Sequence, residues 1–308
     1  MTFAMTRVAR KTMGRIGSPI LSGVVTWVAV VAAITMNVAA GAEESPAGGP
    51  LKVCADPYML PFSNEAGAGY ENKIAELFAA KLGKKLQYEW FPQRMGFIRN
   101  TLRAEADDGT YKCDLVMSVP DHFDLAATTQ PYFASTYYLV IAKGRGLDDV
   151  SAPEMLGKVV AEGRPAKVAV ADQGPGQLWV FRNNLMGNMV PYIGQSGDPT
   201  VNPGETIMRD MASGKVDASV VWGPTAGYYA SVLAKEAQFI LLPLHNDPKY
   251  PDMPLEYNMS MGVRFGEKEW LATVNNLLRE NAADIEKIMK DMNIPLIPVT
   301  KRTEPDDD

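Results

Sequence analysis

Short apolar runs alternate with helical periodicity from residue 51 onward, and this alternation restricts the chain to a mostly parallel sheet covered by helices. LKVCA (51–55), LQYEW (86–90) and CDLVMS (113–118) read as strands. Between the first two, ENKIAELFAAKLG (71–83) places Ile74, Leu77, Phe78 and Leu82 on one helical stripe, with Gly83 as its stop. Residues 94–106, carrying Phe97, Ile98 and Leu102, read as a second helix, which completes a βαβαβ unit. The strand YYLVIAKG (137–144) then leads into a second α/β block. That block holds a strand at 167–171, a helix over 176–186, and strands at 217–222 and 238–244. Between them, Asn202-Pro203-Gly204-Glu205 offers an N-cap residue, proline at the first helical position and an acid in the first turn. NMSMGVRF supplies one more strand, and the apolar stripe of 267–292 predicts two helices broken near Asn281.

The first 42 residues are of another kind. Arg7, Arg10, Lys11 and Arg15 precede an apolar run at 20–34, and Ala40-Gly41-Ala42 supplies a small-residue cleavage pattern. This is the pattern of a secretory signal peptide. A retained anchor is the alternative, but the apolar run falls short of the ~20 residues that span a bilayer. Residues 43–50 read as a linker and 300–308 as a disordered polar tail. Secretion gives meaning to Cys54 and Cys113, the only cysteines. Neighbouring parallel strands would bring them together, closing a loop of about 60 residues; two buried free thiols are the alternative.

Several functions are disfavoured. The net charge of −6 argues against nucleic-acid binding. Two histidines, His122 and His245, leave little for a metal site or a catalytic triad. No G-x-G-x-x-G, Walker loop, H-E-x-x-H, C-x-x-C or G-x-S-x-G arrangement occurs. We therefore expect no enzyme activity, no cofactor and no metal.

LKVCADPYMLPFS, GYENKIAELFAAKLGKKLQYEW, CDLVMSVP, TQPYF, KVAVAD, MASGKVDASVVW and MSMGVRF occur in this order over nearly all of 51–295. Together they resemble the family-3 extracellular solute-binding proteins of the type-2 periplasmic-binding-protein fold. The resemblance implies an α/β protein of two lobes, each a mostly parallel sheet flanked by helices, joined by two hinge strands. Lobe 1 would be 51–142 plus 255–299, and lobe 2 would be 143–254. Amino-acid receptors of the family clamp the ligand carboxylate with an arginine, meet its ammonium with an aspartate and add a Gly-Thr-Thr turn. The corresponding places here hold His122, Trp222 and Gln173-Gly174-Pro175. A cleft containing Trp222, Tyr58, Phe62 and Tyr132 suits an apolar or aromatic group, or a partner's side chain, better than an amino acid.

A narrower resemblance rests on C-A-D-P…L-P-F-S-N, G-Y-E-N-K-I-A and Q-R-M-G-F-I-R-N-T-L. These strings are similar to those of the quinoprotein-dehydrogenase-associated binding proteins, the J proteins of the Mox and Xox type. That resemblance implies a monomeric periplasmic accessory protein. Its partner would be a methanol dehydrogenase dependent on pyrroloquinoline quinone (PQQ), with its cytochrome, and it would assist maturation or activation of that enzyme. A transport receptor for a small, non-amino-acid solute is the rival reading.

The candidate cleft residues are Asp56, Tyr58, Phe62, Glu71, Ser118, His122, Tyr132, Gln173 and Trp222. Asp56 and Phe62 follow the first strand at its carboxyl end, where open α/β sheets bind ligands. Glu71 sits at a helix N-terminus, where it either complements the dipole or faces the cleft. Arg94, Arg99 and Trp179 are candidates for a partner surface, because arginine and tryptophan are enriched at interface centres.

Overall fold

The computed structural model describes residues 48–300. The segment expected to be a signal peptide, most of the expected linker and the expected tail from 301 onward lie outside them. Thr300, expected to begin the tail, is held instead by paired bonds with the Asn258 side chain (2.7 and 3.1 Å).

The first part of the chain forms β1 (Leu51–Ala55), β2 (Tyr58–Met59), β3 (Ser63–Asn64), α1 (Tyr70–Leu82), β4 (Leu86–Trp90), α2 (Phe97–Asn100), β5 (Leu115–Pro120) and β6 (Ala127–Thr128). A long strand, β7 (Phe133–Ala142), follows. The middle part holds α3 (Met155–Ala161), β8 (Val168–Ala171), α4 (Pro175–Arg182), β9 (Met189–Tyr192), α5 (Pro203–Ser213), β10 (Ala218–Trp222), α6 (Gly223–Val232) and β11 (Phe239–Pro243). The chain returns through β12 (Glu256–Val263), α7 (Lys268–Glu280) and α8 (Ala282–Asp291).

The main sheet runs β4-β1-β5-β12-β7-β10-β8-β9, with β11 beside β7 and β6 beside β12. It has two halves that meet at β7. Phe133–Thr136 pair with Met259–Glu256 of β12, whereas Tyr137–Ile141 pair with Trp222–Ala218 of β10. In the first half β1 is parallel to both β4 and β5; in the second, β8 is parallel to β10 and β9. Such parallel pairs need helical crossovers, which α1 supplies in the first half and α4 and α5 in the second.

α1 exists because Ile74, Ala75, Phe78 and Ala79 fall on one face, all buried. Gly83 ends it in the left-handed conformation (φ 64°), its N–H capping Ala80. α7 and α8 lay Trp270, Val274, Leu277, Leu278, Ile285 and Met289 on the same core, which also takes Tyr70, Leu115 and Met117. They break at Asn281, as expected; its side-chain amide donates to the carbonyl of Leu277 at 2.8 Å. α5 starts at Asn202, whose side-chain oxygen accepts from the Glu205 N–H at 3.2 Å.

The helix expected over 94–106 is corrected to the single turn of α2. Gly96 (φ 88°) starts it, and the Thr101 hydroxyl bonds back to the Phe97 carbonyl at 2.7 Å while its own backbone leaves the helical region. The helix expected to reach 186 ends at Arg182, where the Asn183 side chain takes the Trp179 carbonyl (2.9 Å) and Asn184 turns left-handed. The disulfide forms: Cys54 in β1 and Cys113, just before β5, have Cα atoms 5.4 Å apart. Phe97, Ile98, Leu102, Val116 and Val119 bury it.

Candidate functional site

The carboxyl end of β1 opens into a loop organised by Asp56. Its carboxylate accepts the N–H groups of Tyr58 (2.8 Å) and Gln93 (2.5 Å), and its backbone exchanges two bonds with the Ser63 hydroxyl. Asp56 thus ties loop 57–63 to loop 91–94 and is itself 3% exposed. Gly69 must be glycine here, since a Cβ would stand 2.0 Å from the Phe62 carbonyl oxygen. That close approach seats Phe62 on Tyr70, ring centroids 5.5 Å apart.

Beneath the loop lies a buried polar chain. The hydroxyls of Tyr70 and Tyr132 lie 3.2 and 3.0 Å from that of Ser118, and Tyr132 donates to the Met117 carbonyl at 2.8 Å. Glu71 joins it through Ser118. Burial pushes the Glu71 carboxyl up from 4.5 to about 7; the Ser118 bond opposes this and the nearby Asp56 charge adds to it. One Glu71 oxygen, Oε1, has no hydrogen-bond partner. The folded state therefore holds a proton that the unfolded chain releases near pH 4.5. Stability from this residue is full below that pH and falls by about 3 kcal/mol as pH rises to about 7. Glu71→Gln is expected to flatten that slope relative to the wild type. Urea unfolding of both proteins across the window checks it, and parallel pH profiles would refute it.

Of the expected cleft residues, Asp56, Phe62, Glu71, Ser118 and Tyr132 come together around this loop. Tyr58 lies on the same loop, 45% exposed. Trp222 stands where β10 meets β7, 5.2 Å from Tyr137 and 5.8 Å from Tyr257 by ring centroids. It also packs against the core of the first sheet half. His122 follows β5 and Gln173 follows β8, each with positive φ (57° and 56°). Both are side-chain-bearing residues in backbone that favours glycine, one in each sheet half.

Among the proposed surface residues, Arg99 is exposed on α2, whereas Arg94 is half-buried and donates to the Ser196 carbonyl across the seam. Trp179 is a correction. It is only 7% exposed, packed with Val168, Val170, Val180 and Val220, because it lies on the inner face of α4.

The sequence reading missed the residues that bridge the seam. The Asn202 side-chain N–H donates to the Leu60 carbonyl at 2.7 Å while its oxygen caps α5, so one amide serves both halves. The Tyr229 hydroxyl lies 2.8 Å from Glu205 Oε2 and 3.4 Å from the Leu60 carbonyl oxygen. The Leu60 side chain packs against the core cluster that contains Ile207, Met208 and Tyr229. Asn202 carried a legible signal, but as a cap. The space left between Asp56, Met59 and Arg94 on one side and Gly194, Ser196 and Val201 on the other is a cavity of about 30 Å³. A larger cavity of about 520 Å³ lies at the opposite, amino end of β1, among Lys52, Tyr111, Asp114, Arg264 and Trp270. That is the wrong end of the sheet for ligands of an open α/β fold.

No family model matches the chain. Protein MoxJ of Methylorubrum extorquens is 26% identical over 266 residues, 83% of this chain and 84% of that protein. The crystal structure of MxaJ from Methlophaga aminisulfidivorans superposes with a TM-score of 0.64 at 23% identity, covering 80% of this chain and all of that one. The periplasmic binding protein XoxJ from Methylobacterium extorquens AM1 is 30% identical, covers 81% of this chain and 100% of its own, and superposes with a TM-score of 0.63. The two-lobed architecture, the β7 crossover and this likeness agree, and the chain belongs to the family of periplasmic binding proteins that includes XoxJ.

Proposed function

We propose that the chain is a periplasmic accessory protein that associates with a PQQ-dependent methanol dehydrogenase and assists its maturation or activation. Its lobes divide as 51–142 with 255–299, and 143–254, and it acts as a monomer after loss of residues 1–42. One observation carries the reading. At the seam where a solute receptor holds its ligand the protein's own groups bond across, Asn202 to Leu60 and Arg94 to Ser196, and the cavity beside them measures about 30 Å³. Small-molecule pockets run to roughly 300–1,000 Å³. The polar anchors of an amino-acid receptor are also replaced, by His122, Gln173 and Trp222.

Calorimetric titration of residues 43–308 into purified methanol dehydrogenase, beside a thermal-shift screen of small solutes, tests this. Heat of association with the enzyme and an unmoved melting temperature with solutes are expected. A clear thermal shift with a solute and no association with the enzyme would establish the transport-receptor reading instead.

A further inference from the structure

α4 has two unlike faces. Trp179 and Val180 point into the core, while Leu178, Phe181 and Arg182 form the outer face by their i, i+3 and i+4 spacing. Phe181 is 65% exposed. The outer face continues onto loop 246–254. There the Arg182 guanidinium lies 3.7 Å over the Tyr250 ring, and its Nη2 is 2.8 Å from the Met253 sulfur. Tyr250 and Met253 are exposed as well, and so is Met186 just beyond the helix.

A single exposed phenylalanine needs no explanation, but a phenylalanine, a leucine, two methionines and a tyrosine around one arginine make a patch. Aromatic residues, methionine and arginine are the types enriched at interface centres. The charge is the telling feature. Among the described residues no carboxylate lies within ion-pair distance of Arg182. One face of the guanidinium is stacked on Tyr250, which leaves N–H edges for an incoming acceptor. A planar guanidinium held this way fits a carboxylate in bidentate fashion.

We propose that the outer face of α4 and loop 246–254 is a docking surface for a folded protein partner, one presenting a carboxylate ringed by apolar side chains. The carboxylate pairs with Arg182, and the apolar ring covers Phe181 and Met253. This rests on the reading above, in which the protein works through a protein partner. It assigns that contact to the side of lobe 2 rather than to the seam.

The test measures affinity of residues 43–308 for purified methanol dehydrogenase with wild type, Arg182→Glu, Phe181→Ser and, as a charge control on α7, Arg279→Glu. Melting curves confirm that each variant is folded. Arg182→Glu and Phe181→Ser are each expected to weaken binding by about tenfold or more, with Arg279→Glu at wild-type affinity. If the wild type binds and both α4 variants match it, this surface is wrong and the partner reading stands. Loss with Phe181→Ser alone would remove the carboxylate from the proposal and so overturn it. Equal loss with Arg279→Glu would show a general charge effect and overturn it too. A wild type that does not bind would overturn the partner reading, and this inference with it.

Discussion

Replacing Arg264 with leucine is expected to destabilise the protein by about 3–5 kcal/mol, read as a lowered midpoint of urea unfolding at unchanged slope. Arg264 follows β12 and reaches under the first sheet half, its side chain only 11% exposed. It pairs with Asp114 at 3.0 Å and Glu267 at 2.6 Å. It also donates to the carbonyls of Leu102 and Cys113 and lies over the Tyr111 ring. A leucine fills part of the volume but strands the Asp114 carboxylate in a site that is itself almost closed to water. Removing one partner of a buried pair leaves the other uncompensated, and this explains why the loss exceeds that of a surface ion pair. Lysine keeps the charge but cannot reach two carboxylates and two carbonyls with one ammonium, so Arg264→Lys recovers only part of the stability. A loss below about 1 kcal/mol for the leucine variant would place the ion pair in effectively aqueous surroundings and contradict the burial described here.

Removing the disulfide is the second large effect. Cys54 and Cys113 close a loop across 59 positions of sequence, and the chain-entropy model assigns such a closure about 4 kcal/mol. Both sulfurs are buried, so Cys54→Ala with Cys113→Ala trades them for a small void and no stranded polar group. A loss of about 3–4 kcal/mol in denaturant unfolding is expected. Because Arg264 bonds to the Cys113 carbonyl, the two perturbations share a segment, and their combination is expected to fall short of the sum. Strict additivity would show that Arg264 holds the Cys113 segment no more firmly once the disulfide is present.

The strands and helices with clean periodicity were legible in the sequence: β1, β4, α1, α5 and the pair α7–α8 lie within a residue or two of their expected bounds. The misses have physical causes. α6 (GPTAGYYASV) was not foreseen because both glycines, a proline and Tyr229 are buried without an apolar stripe. β9 was missed because Pro191 speaks against a strand; it is tolerated because β9 is an edge strand, paired among the described residues with β8 alone. The over-long helix at 94–106 followed three apolar residues while giving Gly96 and Thr101 too little weight. The candidate site was legible on one side only. Loop 56–71 announced itself through its acids, prolines and aromatics. Its counterpart did not: a cap residue such as Asn202 looks the same whether or not its amide nitrogen reaches 142 residues away to Leu60.

Neither lobe completes its sheet without β7. The same ten residues, Phe133–Ala142, furnish hydrogen-bond partners to β12 at one end and to β10 and β11 at the other. Melting one lobe therefore frays the strand that the other needs, and the two lobes unfold in one transition rather than in sequence. Amide exchange should report this coupling as a single protection level shared by β5, β7, β10 and β12, close to that of global unfolding, although β5 and β10 lie in different halves of the sheet.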